Sequence, residues 1–147
     1  WQDNYDVIVS ARELGLQTCC GGLFGLGESI EQRAMFLDEL RNLSPDGIPI
    51  NFLIPVAGTP LEGTTIIDPD SALRIIAAAR LAMPDKEIII CGGRCEVLRD
   101  RLAEVFAAGA DGLMTGDYLT VRGSSPDVDR ALLRRAGLDY RAKGIRL

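Results

Sequence analysis

Helix-type and strand-type patterns alternate four times along this chain, and that alternation limits its fold more than any other feature. Residues 2–14 place Val7, Ile8, Ala11 and Leu14 on one helical face, with Gly15 as a stop. Residues 16–21 read as a strand leading into a glycine turn. Ser29 caps a helix over 30–42, and Gln32 is placed for a capping box. A strand over 48–54 follows, then a helix capped by Asp68 or Asp70 that runs to residue 82 and stops before Pro84. The remaining elements are a strand over 87–92, a helix over 96–107, a strand over 112–116 and a helix over 126–136. The strands are almost continuously apolar, as in sheets covered on both faces. Repeated βα units predict a parallel sheet with crossover helices packed on one side. A closed (β/α)8 barrel takes eight strands and typically about 250 residues. The 147 residues here hold four, so the chain reads as α/β, half of such a TIM-type barrel with two open sheet edges.

Composition narrows the function classes. With 47% hydrophobic and 25% charged residues, the chain reads as one soluble, globular domain. A net charge of -5 and a pI of about 4.7 argue against a nucleic-acid surface. No apolar run approaches the roughly 18 residues of a membrane span, and no secretory signal is read. The first residue is Trp1 rather than Met, which reads as a fragment or a processed chain. There is no histidine, which removes the usual zinc site, triad base and proton shuttle together. The thiols are Cys19, Cys20, Cys91 and Cys95. The pattern does not need disulfides, so a reduced, cytoplasmic protein is expected. Four thiols without histidine leave an all-cysteine zinc site, an iron–sulfur centre or inert core cysteines, and for a cysteine taken alone the last is commonest.

Two stretches carry most of the chemistry. Gly21-Gly22-Leu23-Phe24-Gly25-Leu26-Gly27-Glu28 directly follows Cys19-Cys20. Glycines let backbone N–H groups approach a ligand closely, and the preceding cysteine offers a thiolate at the same place. The second stretch is Pro49-Ile50-Asn51-Phe52-Leu53-Ile54-Pro55-Val56-Ala57-Gly58-Thr59-Pro60-Leu61, in which Asn51 adds a neutral donor and acceptor. The long loop 55–67 is placed where barrel active sites are built. Together they suggest a polar ligand and a sulfur-liganded centre at one end of a sheet.

Both stretches resemble the biotin synthase family of radical S-adenosylmethionine (SAM) enzymes. Further matches follow in order: Ala78-Ala79-Arg80-Leu81-Ala82-Met83-Pro84, Cys91-Gly92-Gly93-Arg94, Ala108-Gly109-Ala110-Asp111-Gly112 and Tyr118-Leu119-Thr120. The resemblance runs over nearly the whole chain and implies the C-terminal half of a radical SAM (β/α)8 barrel over residues 1–147. The N-terminal half would lie upstream, with the Cys-x3-Cys-x2-Cys loop of the 4Fe–4S cluster. The reaction implied is sulfur insertion into dethiobiotin. SAM cleavage at the 4Fe–4S cluster gives a 5′-deoxyadenosyl radical, and an auxiliary iron–sulfur cluster supplies the sulfur. The partners implied are dethiobiotin, an electron donor such as flavodoxin or ferredoxin, and a second copy in a homodimer. A fragment without the upstream loop is expected to be inactive alone.

The resemblance assigns residues. Cys19 stands where the family binds the auxiliary cluster. Asn51 and Thr120 stand where it binds substrate, while Gly21, Gly22, Leu23, Phe52 and Leu53 stand where it holds SAM. Two departures matter. Val121 replaces a threonine, losing one donor to the substrate carboxylate. Ile89 replaces an arginine that ligates the auxiliary cluster, and isoleucine cannot bind iron. Cys91 lies two residues on, on the same strand face, and is the expected replacement metal ligand. Two strand spacings of about 4.8 Å put the Cα atoms of Cys19 and Cys91 about 10 Å apart. Glu28 is expected to favour the N-terminus of the 30–42 helix through the helix dipole.

Two other readings stand beside this one. A related radical SAM enzyme, of the hydrogenase maturase or methylornithine synthase type, would keep the fold and change the reaction. A non-catalytic α/β module would bind a small anion at the glycine turn.

Overall fold

A computed structural model describes residues 2–118 and 122–139. The chain forms two compact units, Trp1–Met114 and Thr115–Leu147. The first unit is a parallel sheet of four strands in the order β1-β2-β3-β4. The strands are β1 (Gly22–Phe24), β2 (Gly47–Phe52), β3 (Glu87–Ile90) and β4 (Gly112–Leu113). Sequential order with every connection in one direction is the arrangement of a barrel wall, not of a doubly wound sheet whose order reverses.

The helices are α1 (Gln2–Glu13), α2 (Ile30–Leu43), α3 (Pro69–Ala82), α4 (Arg94–Leu98) and α5 (Glu104–Ala107). Local chemistry sets their ends. Ser29 accepts from the Gln32 amide while the Gln32 side chain accepts from the Ser29 amide, a complete capping box. Asp68 caps α3 through the Ser71 amide, with Pro69 in the first turn. Ile48, Ile50 and Phe52 of β2 alternate with less buried residues, as do Ile88 and Ile90 of β3. They meet Leu37, Leu40, Ile75, Ile76 and Val97 from the helices in one apolar layer. Phe24 of β1 joins it, edge-on to Phe36 of α2 at 5.7 Å between ring centres. The opposite sheet face carries Leu23, Pro49, Asn51, Leu53 and Ile89 and is less covered.

Three expectations change. The first strand was expected over 16–21 with a glycine turn after it. Instead Cys19 makes an isolated bridge to Gly47, and the regular strand begins at Gly22. The two glycines lie within the extended run because side chains would not fit there. A Cβ on Gly21 would lie 2.0 Å from the Pro49 carbonyl oxygen, and one on Gly22 would lie 2.4 Å from the Phe36 ring. The helix expected over 96–107 starts at Arg94 and breaks at Arg99, whose φ is 51°; a 3-10 turn, Arg99–Arg101, precedes α5. The helix expected over 2–14 forms, but none of its residues is buried, and Val7 and Leu14 are 65% and 78% exposed.

One side chain sews the amino ends of the strands together. Arg80 of α3 donates from Nε to the Gly109 carbonyl and from Nη1 to the carbonyls of Met83, Pro84 and Lys86. Its Nη2 pairs with Asp111, whose carboxylate also accepts from the Ile88 amide at 2.7 Å. Two of the sequence motifs, around Arg80 and around Asp111, are thus halves of one structural clamp. Such contacts at the amino ends of barrel strands serve stability.

In the second unit α6 (Pro126–Arg135) begins at Ser125, whose hydroxyl accepts from the Val128 amide at 3.4 Å. Before it, the Gly116 amide bonds to the Ser124 carbonyl and the Gly123 amide to Asp117. Among the described residues no helix is long and apolar enough to cross a membrane.

Candidate functional site

Register brings part of the expected site together on the less covered sheet face. Leu23 pairs with Asn51 across β1 and β2. One step beyond the Ile50–Ile90 pair, Asn51 comes beside Cys91. The Cys91 amide bonds to the Ile50 carbonyl at 2.8 Å, continuing that ladder. Leu23, Asn51 and Cys91 therefore form a row across three strands near their carboxyl ends.

The Asn51 side chain ties this row together. Its Oδ1 accepts from the Gly92 amide at 3.0 Å, and its Nδ2 points to the Gly22 carbonyl at 3.5 Å. The second contact is long and weak. The acceptor end is thus committed to backbone, while the amide hydrogens remain available to a ligand. Gly92 and Gly93 have steric reasons of their own. A Cβ on Gly92 would crowd Asn51 Oδ1 at 3.1 Å, and one on Gly93, which has φ +77°, would lie 2.1 Å from the Phe52 carbonyl oxygen. Phe52 and Leu53 are held by backbone bonds, from the Phe52 amide to the Gly92 carbonyl and from the Leu53 amide to the Phe24 carbonyl.

Cys19 shares this face but not this level. It was expected near a strand's carboxyl end and lies at the amino end, paired with Gly47, which pairs in turn with Glu87. The spacing of about 10 Å to Cys91 placed both residues at one level. Cys91 stands four positions beyond Glu87 along β3, a run of about 13 Å at about 3.3 Å per residue. Cys19 Sγ leans over Gly47, 3.6 Å from where a Cβ would sit, and Cys91 Sγ leans back to the Ile89 carbonyl at 3.6 Å. The Cys19 thiol interacts electrostatically with both Glu87 and Cys91, which flank Ile89.

All four cysteines are thiols rather than disulfides. Burial pushes the Cys91 thiol up to about 11; the Cys19 thiol adds to this and the Arg94 guanidinium opposes it. Burial also raises Cys19, followed by Cys20 and Glu87. Both are protonated at neutral pH, and a metal would have to displace those protons. Arg94 is fully buried and donates from Nη2 to the Met114 carbonyl at 3.1 Å. Cys95 is exposed in the first turn of α4. Among the described residues no group of three or more Cys, Asp or Glu gathers to hold a metal ion. Cys19 and Cys91 lie on one sheet face, offset from each other along the strand direction. Thr120 and Val121 lie outside the described residues.

The glycine turn at the end of β1 differs from expectation. Gly25 and Gly27 have φ values of 94° and 96°, so the turn lies there and not at Gly21-Gly22. Its amides face Glu28. The carboxylate accepts from the Gly25 amide at 3.0 and 3.1 Å, from Leu26 at 2.7 Å and from Arg33 Nε at 2.8 Å. The anion at this turn is the chain's own, which opposes the small-anion module. Burial would raise the Glu28 carboxyl, but the amides and Arg33 outweigh it and hold it below 4.5. This role for Glu28 was missed in the sequence. Its signal was an acid directly after Gly-Leu-Gly and five residues before Arg33.

Comparison with known proteins agrees over most of the chain. Residues 49–139 match the family described as Biotin and Thiamin Synthesis associated domain. A protein named biotin synthase from Syntrophotalea carbinolica is 47% identical over 140 residues, 95% of this chain and 43% of that protein. The biotin synthases of Geobacter sulfurreducens and Desulfatibacillum aliphaticivorans are 45% and 46% identical over 96% and 97% of this chain. The chain spans 43% of the length of these curated relatives. A crystal structure of methylornithine synthase superposes with a TM-score of 0.67 at 24% identity, covering 90% of this chain and 43% of that one. This last likeness bears on the fold alone.

Proposed function

The chain belongs to the Biotin and Thiamin Synthesis associated domain family, and from that membership we propose that it is the C-terminal half of the (β/α)8 barrel of a biotin synthase. The whole enzyme would insert sulfur into dethiobiotin, with an N-terminal half completing the barrel. Two features support the half-barrel reading. β1 and β4 each pair on one side only among the described residues, and Leu23 of β1 is 45% exposed. Electron supply by a flavodoxin or ferredoxin and a homodimeric full-length enzyme belong to the same proposal.

The observation that carries the reading is the placement of Asn51 and two thiols on the less covered face of the parallel sheet. Asn51, its acceptor held by Gly92, would orient substrate through its amide hydrogens, and Thr120 would hold the substrate carboxylate. Gly21, Gly22, Leu23, Phe52 and Leu53 would line the SAM side. Cys19 and Cys91 fit an auxiliary cluster as donors. Both are thiols on one sheet face, with side-chain-free Gly47 beside Cys19. SAM with its 4Fe–4S cluster would supply radical chemistry, and the auxiliary cluster would supply sulfur. The protein's part is to position the reactants and exclude water.

The test uses the full-length protein, reconstituted anaerobically with iron and sulfide. It should cleave SAM and form biotin from dethiobiotin. The Cys91→Ser variant should lose auxiliary-cluster iron and sulfide and make little biotin, while SAM cleavage stays near wild type. Unchanged cluster content and biotin formation would leave Cys91 as a core residue. SAM cleavage without biotin formation by the wild type would favour a different reaction on the same barrel.

A further inference from the structure

The two thiols of the candidate site stand in rows of different charge. At the carboxyl end Cys91 lies beside Asn51 and Leu23, both uncharged. At the amino end register sets Cys19, Gly47 and Glu87 side by side, Cys19 bridging to Gly47 and Gly47 pairing with Glu87. Glu87 precedes Ile89 by two residues and so shares its sheet face. Cys19 and Glu87 are two strand spacings of about 4.8 Å apart, and the residue between them has no side chain. Cys19 Sγ leans over that gap, 3.6 Å from where a Gly47 Cβ would sit. A larger residue at 47 would stand between thiol and carboxylate, whereas glycine lets Glu87 act on Cys19 across the strand.

Other charges at this end are engaged elsewhere. Asp46 accepts from the Thr18 amide at 2.8 Å and from its hydroxyl at 3.4 Å, and Lys86 Nζ points to the Ser44 carbonyl at 3.5 Å. Ile89, between Glu87 and Cys91, adds no charge. Glu87 is fixed at the start of β3 by the bond from its amide to the Asp46 carbonyl at 3.2 Å. It is half-buried, where solvent and salt screen a charge less than at the open surface.

We propose that Glu87 is a charge-tuning residue of the auxiliary site: its carboxylate, set beside Cys19 across Gly47, makes a cluster held by Cys19 harder to reduce. This rests on the cluster reading above. Glu87 touches no reacting atom; it acts on Cys19 through space. An added electron makes an iron–sulfur cluster more negative, and a nearby anion opposes that, so local charge sets the potential. The electron delivered for SAM cleavage is then less readily diverted to the cluster that supplies sulfur.

The experiment uses the full-length protein in a Cys20→Ser background, first without metal. Cys19 is alkylated with neutral iodoacetamide and with anionic iodoacetate, and its modification is followed by peptide mass spectrometry. Both reagents attack the thiolate, so the ratio of their rates cancels the thiolate fraction and reads the local field. Glu87→Gln should raise the iodoacetate rate relative to iodoacetamide about two- to threefold, the scale of one partly exposed charge pair. Asp85→Asn removes a more exposed charge that lies off the row and should leave the ratio unchanged. The reconstituted protein then gives the auxiliary midpoint potential by spectroscopic titration with dithionite. Glu87→Gln should shift it upward with iron and sulfide contents unchanged. An unchanged rate ratio, or an equal change in Asp85→Asn, overturns the proposal. Loss of cluster iron in Glu87→Gln also overturns it, since that would make Glu87 a ligand. If Glu87→Gln does not fold, Glu87→Ser carries the same comparison. A wild type that assembles no auxiliary cluster overturns the functional reading and this inference with it. A wild-type cluster whose potential is unmoved in Glu87→Gln overturns the inference alone.

Discussion

Gly21 offers a sharp choice between two reasons for a glycine. If it is there to let a ligand approach, Gly21→Ala should spare folding and damage binding. The structure gives the other reason. An alanine Cβ at this position would sit 2.0 Å from the Pro49 oxygen and 2.8 Å from the Pro49 carbonyl carbon and Cδ. Side-chain carbons essentially never approach closer than 3.0 Å, so at least 1.0 Å of relief is needed. Neither partner is a flexible side-chain end, so β1 and β2 must part. Parting them by that much would stretch the neighbouring bond from the Cys20 amide to the Gly47 carbonyl, now 3.0 Å, beyond hydrogen-bonding range. Overpacking costs about 1–3 kcal/mol and one lost backbone bond about 1 kcal/mol more, so about 2–4 kcal/mol in all. At about 2–4 °C per kcal/mol the melting temperature should fall by roughly 4–16 °C. Scanning calorimetry on the full-length protein reads this. Gly63→Ala is the control, because nothing lies within 4 Å of its Cβ position. A Gly21→Ala protein that melts with wild type but has lost ligand affinity would refute the packing argument.

Other outcomes follow from the same contacts. Arg80→Met removes bonds to four carbonyls and the Asp111 ion pair while keeping much of the apolar stem. It should cost about 2–4 kcal/mol by thermal or urea unfolding, and a loss under about 0.5 kcal/mol would mean the clamp is solvent-replaceable. Glu28, Asp46 and Asp68 have carboxyls held below their ordinary values of 4.5, 3.8 and 3.8. A depressed carboxylate stabilises the fold fully above its unfolded value and loses that contribution as pH falls through the folded one. The urea midpoint should therefore hold steady down to about pH 5 and fall below about pH 4.5, less steeply in Glu28→Gln. A decline already complete at pH 6 would contradict it.

What the sequence disclosed and what it withheld divide along one physical line. Features set within a turn of chain were legible: the capping box at Ser29, a cap at Asp68 or Asp70 that the structure places at Asp68, and the repeated βα pattern with its parallel order. Features set by partners far along the chain were not. Gly21 answers to Pro49 and Gly22 to Phe36, so two glycines that read locally as a turn lie in an extended run. The break at Arg99 has no glycine or proline to announce it. Arg80 and Asp111 were visible as motifs, but their pairing spans 31 residues. In the candidate site, Asn51 and Cys91 become neighbours only through register, and the offset of Cys19 to the level of Glu87 comes from the same source.

That line also runs through the glycine-rich stretch itself. Gly21 and Gly22 are small because neighbouring atoms fill the space of a side chain. Gly25 and Gly27 are glycines because the backbone turns left-handed there. Glu28 ends the stretch because the turn presents amides that need an anion. One motif thus contains a packing device, a turn and a lock, and each should fail in its own way. A side chain at Gly21 should lower stability before affinity. Loss of the Glu28 charge should free the Gly25 and Leu26 amides and loosen the turn itself. A motif whose glycines all served the ligand directly would give one phenotype for every substitution, so the contrast between these two variants decides how this stretch works.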